Sequence, residues 1–164
     1  MEIAPHLQTR RLKLVPLTWG DALFFWKLAG NVKVRRFLGG PVPWRRRLAQ
    51  FRHSLDGVPS TGIWVVRPQM QKAAIGLLEL SPHKDGRDFE VSYQFKPSAW
   101  GQGFASEATA RVVGHAINDL GLERVIAETQ SANAGSCRLL SGLGFVEETR
   151  LERFGTEQVI FVKS

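Results

Sequence analysis

The sequence predicts a mixed α/β fold in which an early pair of helices precedes a sheet and two further helices interrupt the second half of that sheet. Two patterns lead to this prediction. Short apolar or alternating segments between turn-forming residues are typical of strands, and longer segments with apolar residues at helical spacing are typical of helices. A length of 164 residues, with 43% hydrophobic and 23% charged residues, is ordinary for one soluble domain. We therefore expect a single domain over residues 1–164.

The first elements are predicted to be a strand and two helices. Residues 12–17, LKLVPL, form an apolar segment that Pro16 brings to an end. Thr18 is followed three residues later by Asp21, which is the spacing of a capping box at the start of a helix. The apolar face of that helix is formed by Phe24, Phe25 and Leu28. A second, basic helix is predicted over residues 45–55.

The middle of the chain is predicted to form antiparallel hairpins. Short apolar or alternating segments lie at residues 62–68, 74–80 and 89–95, with turn-type sequences between them. In the third segment, FEVSYQF, the apolar residues alternate with Glu90, Ser92 and Gln94, so the two sets lie on opposite faces of a strand. The remaining elements are predicted to be a helix that Gly121 ends, a strand at 124–128, a helix at 135–144 and strands at 145–148 and 157–162.

The net charge of +7 is unevenly distributed. Residues 1–60 hold 11 Lys and Arg against 3 Asp and Glu, whereas residues 61–164 hold 11 basic and 12 acidic residues. The basic excess lies mainly in KVRR (33–36) and WRRR (44–47). Two explanations remain open: a surface for an anionic partner such as nucleic acid, a ribosome or a phosphorylated ligand, or a solvated helix face.

The composition excludes several classes of protein. The single cysteine, Cys137, excludes an internal disulfide framework and is typical of a reducing compartment. The N-terminus lacks the order of a secretory signal, and no apolar run approaches the roughly 20 residues of a membrane span. The four histidines show no metal-ligand spacing. We expect a cytoplasmic protein without a metal or a membrane partner.

The segment SAWGQGFASEA (98–108) raises the question of a phosphate site. Gly101 and Gly103 directly precede a predicted helix, whose first N–H groups have no intrahelical acceptor. Glycine allows a phosphate to approach that end of the backbone closely. An ordinary turn remains an alternative on this feature alone. A Rossmann dinucleotide site does not fit, because KPSAW (96–100) separates the strand from the first glycine.

Two motifs in this order resemble the GNAT superfamily of N-acetyltransferases, in its RimJ/RimL-like branch. The first is a Glu-x-x-Tyr strand, a proline, Trp-Gly-x-Gly-aromatic-Ala and Glu-Ala, formed here by Glu90, Tyr93, Pro97, Trp100, Gly101, Gly103, Phe104, Ala105, Glu107 and Ala108. The second is formed by Asn133, Ser136, Gly144 and Phe145. The opening segments TRRLKLVPLTWGDA and FLGGPVPW also resemble this branch, so the resemblance covers essentially the whole chain.

The resemblance implies a central, mostly antiparallel, twisted sheet of about six or seven strands flanked by helices, and it implies acetyl-CoA as co-substrate. The amides of Gly101, Gln102, Gly103, Phe104, Ala105 and Ser106 would hold the pyrophosphate. The strand end formed by Tyr93, Gln94 and Phe95 would pair with the pantetheine, and an amide there would polarise the thioester carbonyl. Trp100, Asn133 and Ser136 complete the expected cofactor-binding set.

Glu90 is the candidate general base, because the matching glutamate of the family lies on the strand that passes the thioester. The tyrosine that serves many members as general acid is replaced here by Leu140, so Ser136 becomes the candidate acid. Capping of its own helix is an equally sound role for Ser136. Cys137 is expected to pack rather than to act as a nucleophile.

The expected reaction is direct transfer of an acetyl group to a primary amine, on a protein N-terminus or a small molecule. A cationic surface disfavours polyamines as acceptors. A catalytically idle module that binds RNA or a ribosome through the basic first third remains the alternative, and transfer of a longer acyl group also stays open.

The last strand is a candidate edge for a homodimer. Trp19, Trp26 and Trp44 are expected in the core, with Trp26 or Trp44 lining an acceptor groove as the alternative.

Overall fold

The computed structural model describes residues 4–56 and 62–164. Its helices are α1 (Ala22–Ala29), α2 (Trp44–Asp56), α3 (Phe104–Gly114) and α4 (Ala134–Gly142). Its strands are β1 (Leu7–Gln8), β2 (Leu12–Pro16), β3 (Gly62–Pro68), β4 (Gly76–Pro82), β5 (Phe89–Phe95), β6 (Val125–Gln130), β7 (Val146–Arg153) and β8 (Thr156–Lys163). The mixed α/β class predicted from the sequence is confirmed.

All described strands belong to one sheet, in the order β1-β2-β3-β4-β5-β6-β8-β7. Neighbouring strands are antiparallel except β5 and β6, which run parallel. The count of eight strands slightly exceeds the expected six or seven. The addition is the two-residue β1, which is too short to leave an alternating pattern in the sequence.

Each face of the sheet carries its own apolar core. The larger core lies against α3 and α4 and includes Trp64, Leu78 and Val112, whereas the smaller core lies against α1 and α2 and includes Phe25 and Phe51. Strand β3 is buried on both faces, so it reads as a continuous apolar run rather than an alternation. The two cores therefore hold α3 and α4 on one face of the sheet and α1 and α2 on the other.

The predicted capping box is present at the start of the first helical segment. The Asp21 carboxylate accepts hydrogen bonds from the Thr18 amide (3.0 Å) and the Thr18 hydroxyl (2.9 Å). Asp21 is buried and also pairs with Arg67 on β3. Asp21 therefore both caps the start of this helical segment and links the segment to the sheet.

Helix α3 begins directly after Gly103, which has a left-handed φ of 77°. Its residues Ala108, Val112 and Ala116, spaced four apart, are fully buried, as the pattern predicts. The helix continues in a π-helical turn, His115–Asp119, and ends before Gly121, whose φ is 70°.

Two expectations about the surface are wrong. The last strand, β8, is not an edge, because it pairs with β6 on one side and with β7 on the other. Trp19 and Trp44 are 60% and 63% exposed, so they are not core residues.

No helix in the described part of the chain is long and apolar enough to cross a membrane.

Candidate active site

The parallel strands β5 and β6 pair only at their first residues. The ladder joins Phe89 to Val125 and Glu90 to Ile126 and does not continue beyond them. Strand β5 remains paired with β4 along its whole length, up to Phe95. The edge of β5 that faces β6 is therefore open after Glu90, and it offers unpaired peptide groups to an extended ligand.

The peptide groups of Tyr93 and Phe95 point into this opening. The Lys96 amide donates to the Ile75 carbonyl on the β4 side (2.9 Å), and successive residues of an antiparallel strand alternate between the two sides. The Phe95 carbonyl accordingly lies on the opposite side, where it accepts a hydrogen bond from the Trp100 indole (2.8 Å). Trp100 thus holds the glycine-rich loop against the end of β5.

The side chains of the predicted strand end divide between the faces. Tyr93 and Phe95 pack with the core under α3 and α4. Gln94 alternates with them and lies on the face of Glu90, toward α1 and α2. Because these side chains alternate between the two faces of the sheet, only the backbone of residues 93–95 is accessible from both faces.

The glycine-rich loop presents a free helix N-terminus. Gly101 and Gly103 both have positive φ, at 72° and 77°, and no side chain caps α3. The amides of Gly103 and of the next three residues therefore have no intrahelical acceptor. Uncapped amides at the positive end of the helix dipole suit the pyrophosphate of a CoA-type ligand. The chemistry of the predicted cradle, Gly101 to Ser106, fits that group.

A residue that sequence reasoning missed supports this loop. Arg11 donates from Nη1 to the Gln102 carbonyl (2.9 Å) and from Nε to Glu107 (2.6 Å). Its guanidinium also lies over the Phe104 ring, 4.6 Å from the centroid. Arg11 holds the loop in place and brings a positive charge beside the uncapped amides. In the sequence, Arg11 stands out only as a basic residue before the strand predicted at residues 12–17.

Glu90 lies where the opening begins, and its side chain is 25% exposed. Burial raises the pKa of Glu90 to about 7, with the nearby Glu128 and Glu79 carboxylates raising it further and His83 opposing them. Its Oε1 accepts a long hydrogen bond from the Glu128 amide (3.4 Å). A carboxylate with a pKa near neutrality and weak pairing is suited to accept a proton.

Glu128, by contrast, is paired with three basic side chains. Its Oε2 lies 2.8 Å from His83 Nε2, 2.8 Å from Arg153 Nη1 and 3.3 Å from Lys84 Nζ, and its side chain is 6% exposed. His83 Nε2 lies 4.0 Å from Glu90. Burial disfavours the charged ring, but hydrogen bonds to Glu128 and Asp85 and the charge of Glu90 outweigh it and raise the pKa of His83. These groups come from separate turns and strands, so local sequence patterns do not reveal the cluster.

Asn133 and Ser136 form the start of α4. Asn133 is the N-cap: Oδ1 accepts from the Ser136 amide (3.2 Å) and Nδ2 donates to Ser136 Oγ (3.2 Å). Ser136 is therefore the partner of the cap rather than the cap itself, and its hydroxyl proton stays free to be donated. Burial raises the pKa of the neighbouring Tyr93 to about 12, partly offset by Ser136. The Tyr93 hydroxyl is buried and lies beside Ser136.

Two other residues on α4 are structural. Leu140, which occupies the position of the family's tyrosine, is buried in the larger core. Cys137 packs against the same core, and burial raises the pKa of its thiol, which is the opposite of activation. Within residues 4–56 and 62–164, no three His, Cys, Asp or Glu side chains are placed to hold a metal ion.

Comparison with known proteins is consistent with this site. Residues 11–146 match the model of the acetyltransferase (GNAT) domain. The chain is 30% identical, over 93% of its length and 70% of the relative's, to the FsC-acetyl coenzyme A-N(2)-transacetylase of Aspergillus fumigatus. It is 28% identical, over 92% of its length and 88% of the relative's, to the uncharacterized N-acetyltransferase YoaA of Bacillus subtilis.

Solved structures share the fold. An acetyltransferase from Agrobacterium tumefaciens superposes with a TM-score of 0.86 at 20% identity, covering 100% of this chain and 96% of that one. Spermidine N-acetyltransferase from Vibrio cholerae, in complex with CoA and spermine, superposes with a TM-score of 0.82 at 23% identity, covering 94% and 96% of the two chains. With a family match over most of its length, the chain is an acetyltransferase and belongs to the GNAT family.

Proposed function

We propose that this protein is an acetyl-CoA-dependent N-acetyltransferase that transfers the acetyl group to a primary amine by direct attack, with Glu90 as general base. The observation that carries the proposal is the position of Glu90. A carboxylate with a pKa of about 7 lies at the start of the opening between β5 and β6. A base in that place removes the proton of an amine that approaches from the α1 and α2 side.

The other roles follow from the neighbouring groups. Acetyl-CoA supplies the activated thioester. The unpaired amides of the β5 end, at Tyr93 and Phe95, are the donors for a developing oxyanion. Ser136 holds a proton at Oγ for the departing sulfur, and the buried Tyr93 hydroxyl lies beside it. Glu90, whose side chain is 25% exposed, passes the proton that it takes up to solvent.

We expect acetyl-CoA to bind to the residues that the sequence predicts for this role. Gly101, Gln102, Gly103, Phe104, Ala105 and Ser106 would hold the pyrophosphate, with Arg11 as an added cation. Tyr93, Gln94 and Phe95 would pair with the pantetheine through their backbone. Trp100 and Asn133 would serve by fixing the loop and the start of α4.

A pair of variants at Ser106 tests the cradle. Ser106→Asp places a negative charge in the first turn of α3, where an acidic side chain favours the helix itself but repels a pyrophosphate. Ser106→Asn has nearly the same shape without the charge. We expect calorimetric titration with acetyl-CoA to give an affinity at least ~10-fold weaker for Ser106→Asp than for Ser106→Asn. Equal affinities would contradict the cradle.

The acceptor is proposed to be a small amine or a protein N-terminus. A solved structure with the same fold, from Vibrio cholerae, is named a spermidine N-acetyltransferase, which supports a small amine. The motif from Glu90 to Ala108 supports assignment to the RimJ/RimL-like branch. An idle RNA-binding module rests on Leu140 and on the basic first third of the chain, and no feature of the site favours it.

A further inference from the structure

An open pocket of about 540 Å³ lies beside the N-terminus of α2. It is formed by the loop between α1 and α2 and by one face of α2. Its volume falls within the range of small-molecule sites. Its lining residues are Arg35, Gly39, Gly40, Pro41, Val42, Pro43, Arg46, Ala49, Gln50 and His53.

The pocket is cationic and has no acidic side chain in its lining. Arg35 donates to the carbonyls of Gly40 (3.1 Å) and Leu38 (2.8 Å), which fix its guanidinium without neutralising it. In the described part of the chain, neither Arg35 nor Arg46 pairs with a carboxylate. Burial lowers the pKa of Arg35, so this guanidinium lacks part of its hydration as well as a counter-charge.

The pocket lies on the same side of the sheet as the proposed base. Helix α2 packs on the face of the smaller core, and Glu90 projects from that face of β5. His53 in the pocket lining acts electrostatically on Glu79, and Glu79 in turn acts on Glu90. The pocket and Glu90 thus lie on the same side of the sheet, and Glu79 interacts electrostatically with a group at each of them.

We propose that this pocket binds an anionic group of the acceptor, a carboxylate or a phosphate, through Arg35 and Arg46 while the acceptor's amine faces Glu90. This inference rests on the proposed function and names the class of acceptor: a small primary amine that also carries a negative charge. A guanidinium that is fixed like that of Arg35 binds carboxylate and phosphate oxygens strongly, and Arg46 adds a second guanidinium to the pocket lining.

The test compares acceptors of matched length and different charge. The panel holds β-alanine, γ-aminobutyrate and ε-aminocaproate, their neutral amides, the diamines putrescine and cadaverine, and O-phosphoethanolamine with ethanolamine. Thiol release from saturating acetyl-CoA gives kcat/KM for each. We expect the anionic member to exceed its neutral analogue at least ~10-fold in the preferred series, and the diamines to be poorest. The carboxylate and phosphate series distinguish the two anions.

Arg46→Gln is the diagnostic variant, with Arg45→Gln as its matched control. Both remove one charge from the first turn of α2, but Arg45 is outside the pocket lining and lies over Trp44, 5.2 Å from the ring centroid. Arg46→Gln is expected to lower kcat/KM for the anionic acceptor at least ~10-fold, and to change the neutral analogue less than ~2-fold. Arg45→Gln is expected to leave both nearly unchanged.

The outcomes separate this inference from the proposed function. If neutral amides or diamines are acetylated as well as the anionic amines, or if Arg45→Gln and Arg46→Gln behave alike, the anion pocket is wrong and the acetyltransferase stands. If acetyl-CoA binds but no small amine in the panel releases thiol, this inference fails, whereas the proposed amine transfer fails only if peptide N-termini release no thiol either.

Discussion

At the scale of single residues, Glu90 differs from the acidic residues around it. Glu128 is paired with His83, Arg153 and Lys84 at 2.8–3.3 Å, while Glu90 accepts a long hydrogen bond from a backbone amide and lies 4.0 Å from His83. The two carboxylates of this cluster thus have different environments, and Glu90, which faces the opening, has a pKa of about 7 that suits it to take up a proton.

This difference predicts the pH dependence of turnover. With both substrates saturating, kcat is expected to rise with pH and to level off above about 7, because the unprotonated form of Glu90 is the active base. Glu90→Gln should lower kcat by ~100-fold or more and remove that rise. A stopped thiol-release assay across pH measures both. An unchanged pH profile in Glu90→Gln would assign the proton transfer to another group.

The same carboxyl should lower the stability of the protein in its charged form. Folding raises the pKa of Glu90 from 4.5 to about 7, so the folded state binds this proton more tightly than the unfolded state. Its contribution to stability is therefore lost as pH rises through that range. At about pH 8, Glu90→Gln is expected to raise the free energy of unfolding by about 1–3 kcal/mol, and near pH 4 to leave it almost unchanged. Urea unfolding at the two pH values measures this, and destabilisation at the higher pH would contradict the buried-charge explanation.

At the scale of elements, the position of α3 depends on the β1–β2 turn. The Glu107 carboxylate accepts hydrogen bonds from Thr9 Oγ1 (2.5 Å), the Arg11 amide (3.0 Å) and Arg11 Nε (2.6 Å). Although burial opposes it, these bonds lower the pKa of Glu107. The interaction joins the first strands to the helix that begins the cradle.

Loss of this link should weaken both the fold and the cradle. Glu107→Ala is expected to lower the free energy of unfolding by about 1–3 kcal/mol, because Arg11 and Thr9 lose their shared acceptor. Affinity for acetyl-CoA should fall as well, since Arg11 also holds the Gln102 carbonyl. Glu123→Ala, at an exposed position after α3, is the matched control and should change stability by less than about 0.5 kcal/mol. Denaturant titration and calorimetry measure the two effects, and similar results for the two variants would contradict this role of Glu107.

The elements also show what local sequence can and cannot predict. The helix after Gly103 and the alternation that places Glu90 opposite Tyr93 follow from spacing within a few residues, and both were predicted. The insertion of β8 between β6 and β7 is a long-range pairing that spacing does not encode. The prediction for Trp19 was wrong because a tryptophan favours burial on average, whereas here the side chain makes an edge-on contact with Phe51 and stays 60% exposed.

At the scale of the whole molecule, the basic first third of the sequence lies on one face of the sheet. The basic first third supplies α1, α2 and the loop between them, which cover the sheet face of Glu90. The opposite face carries α3 and α4. The excess of 11 basic over 3 acidic residues in this third is therefore concentrated around the proposed acceptor side.

This arrangement predicts a dependence of acceptor use on salt. A cationic surface attracts an anionic acceptor and repels a diamine, and added salt screens both effects over a distance of about 8–10 Å at physiological ionic strength. With acetyl-CoA saturating, kcat/KM for γ-aminobutyrate should fall by ~2- to 10-fold as salt rises from low to several times physiological levels, while its neutral amide stays constant and putrescine improves. Arg46→Gln should reduce the salt dependence for the anion more than Arg45→Gln does, because only Arg46 lines the pocket. If all three acceptors lose activity in parallel, salt acts on acetyl-CoA or on the fold, and the surface charge has no part in choosing the acceptor.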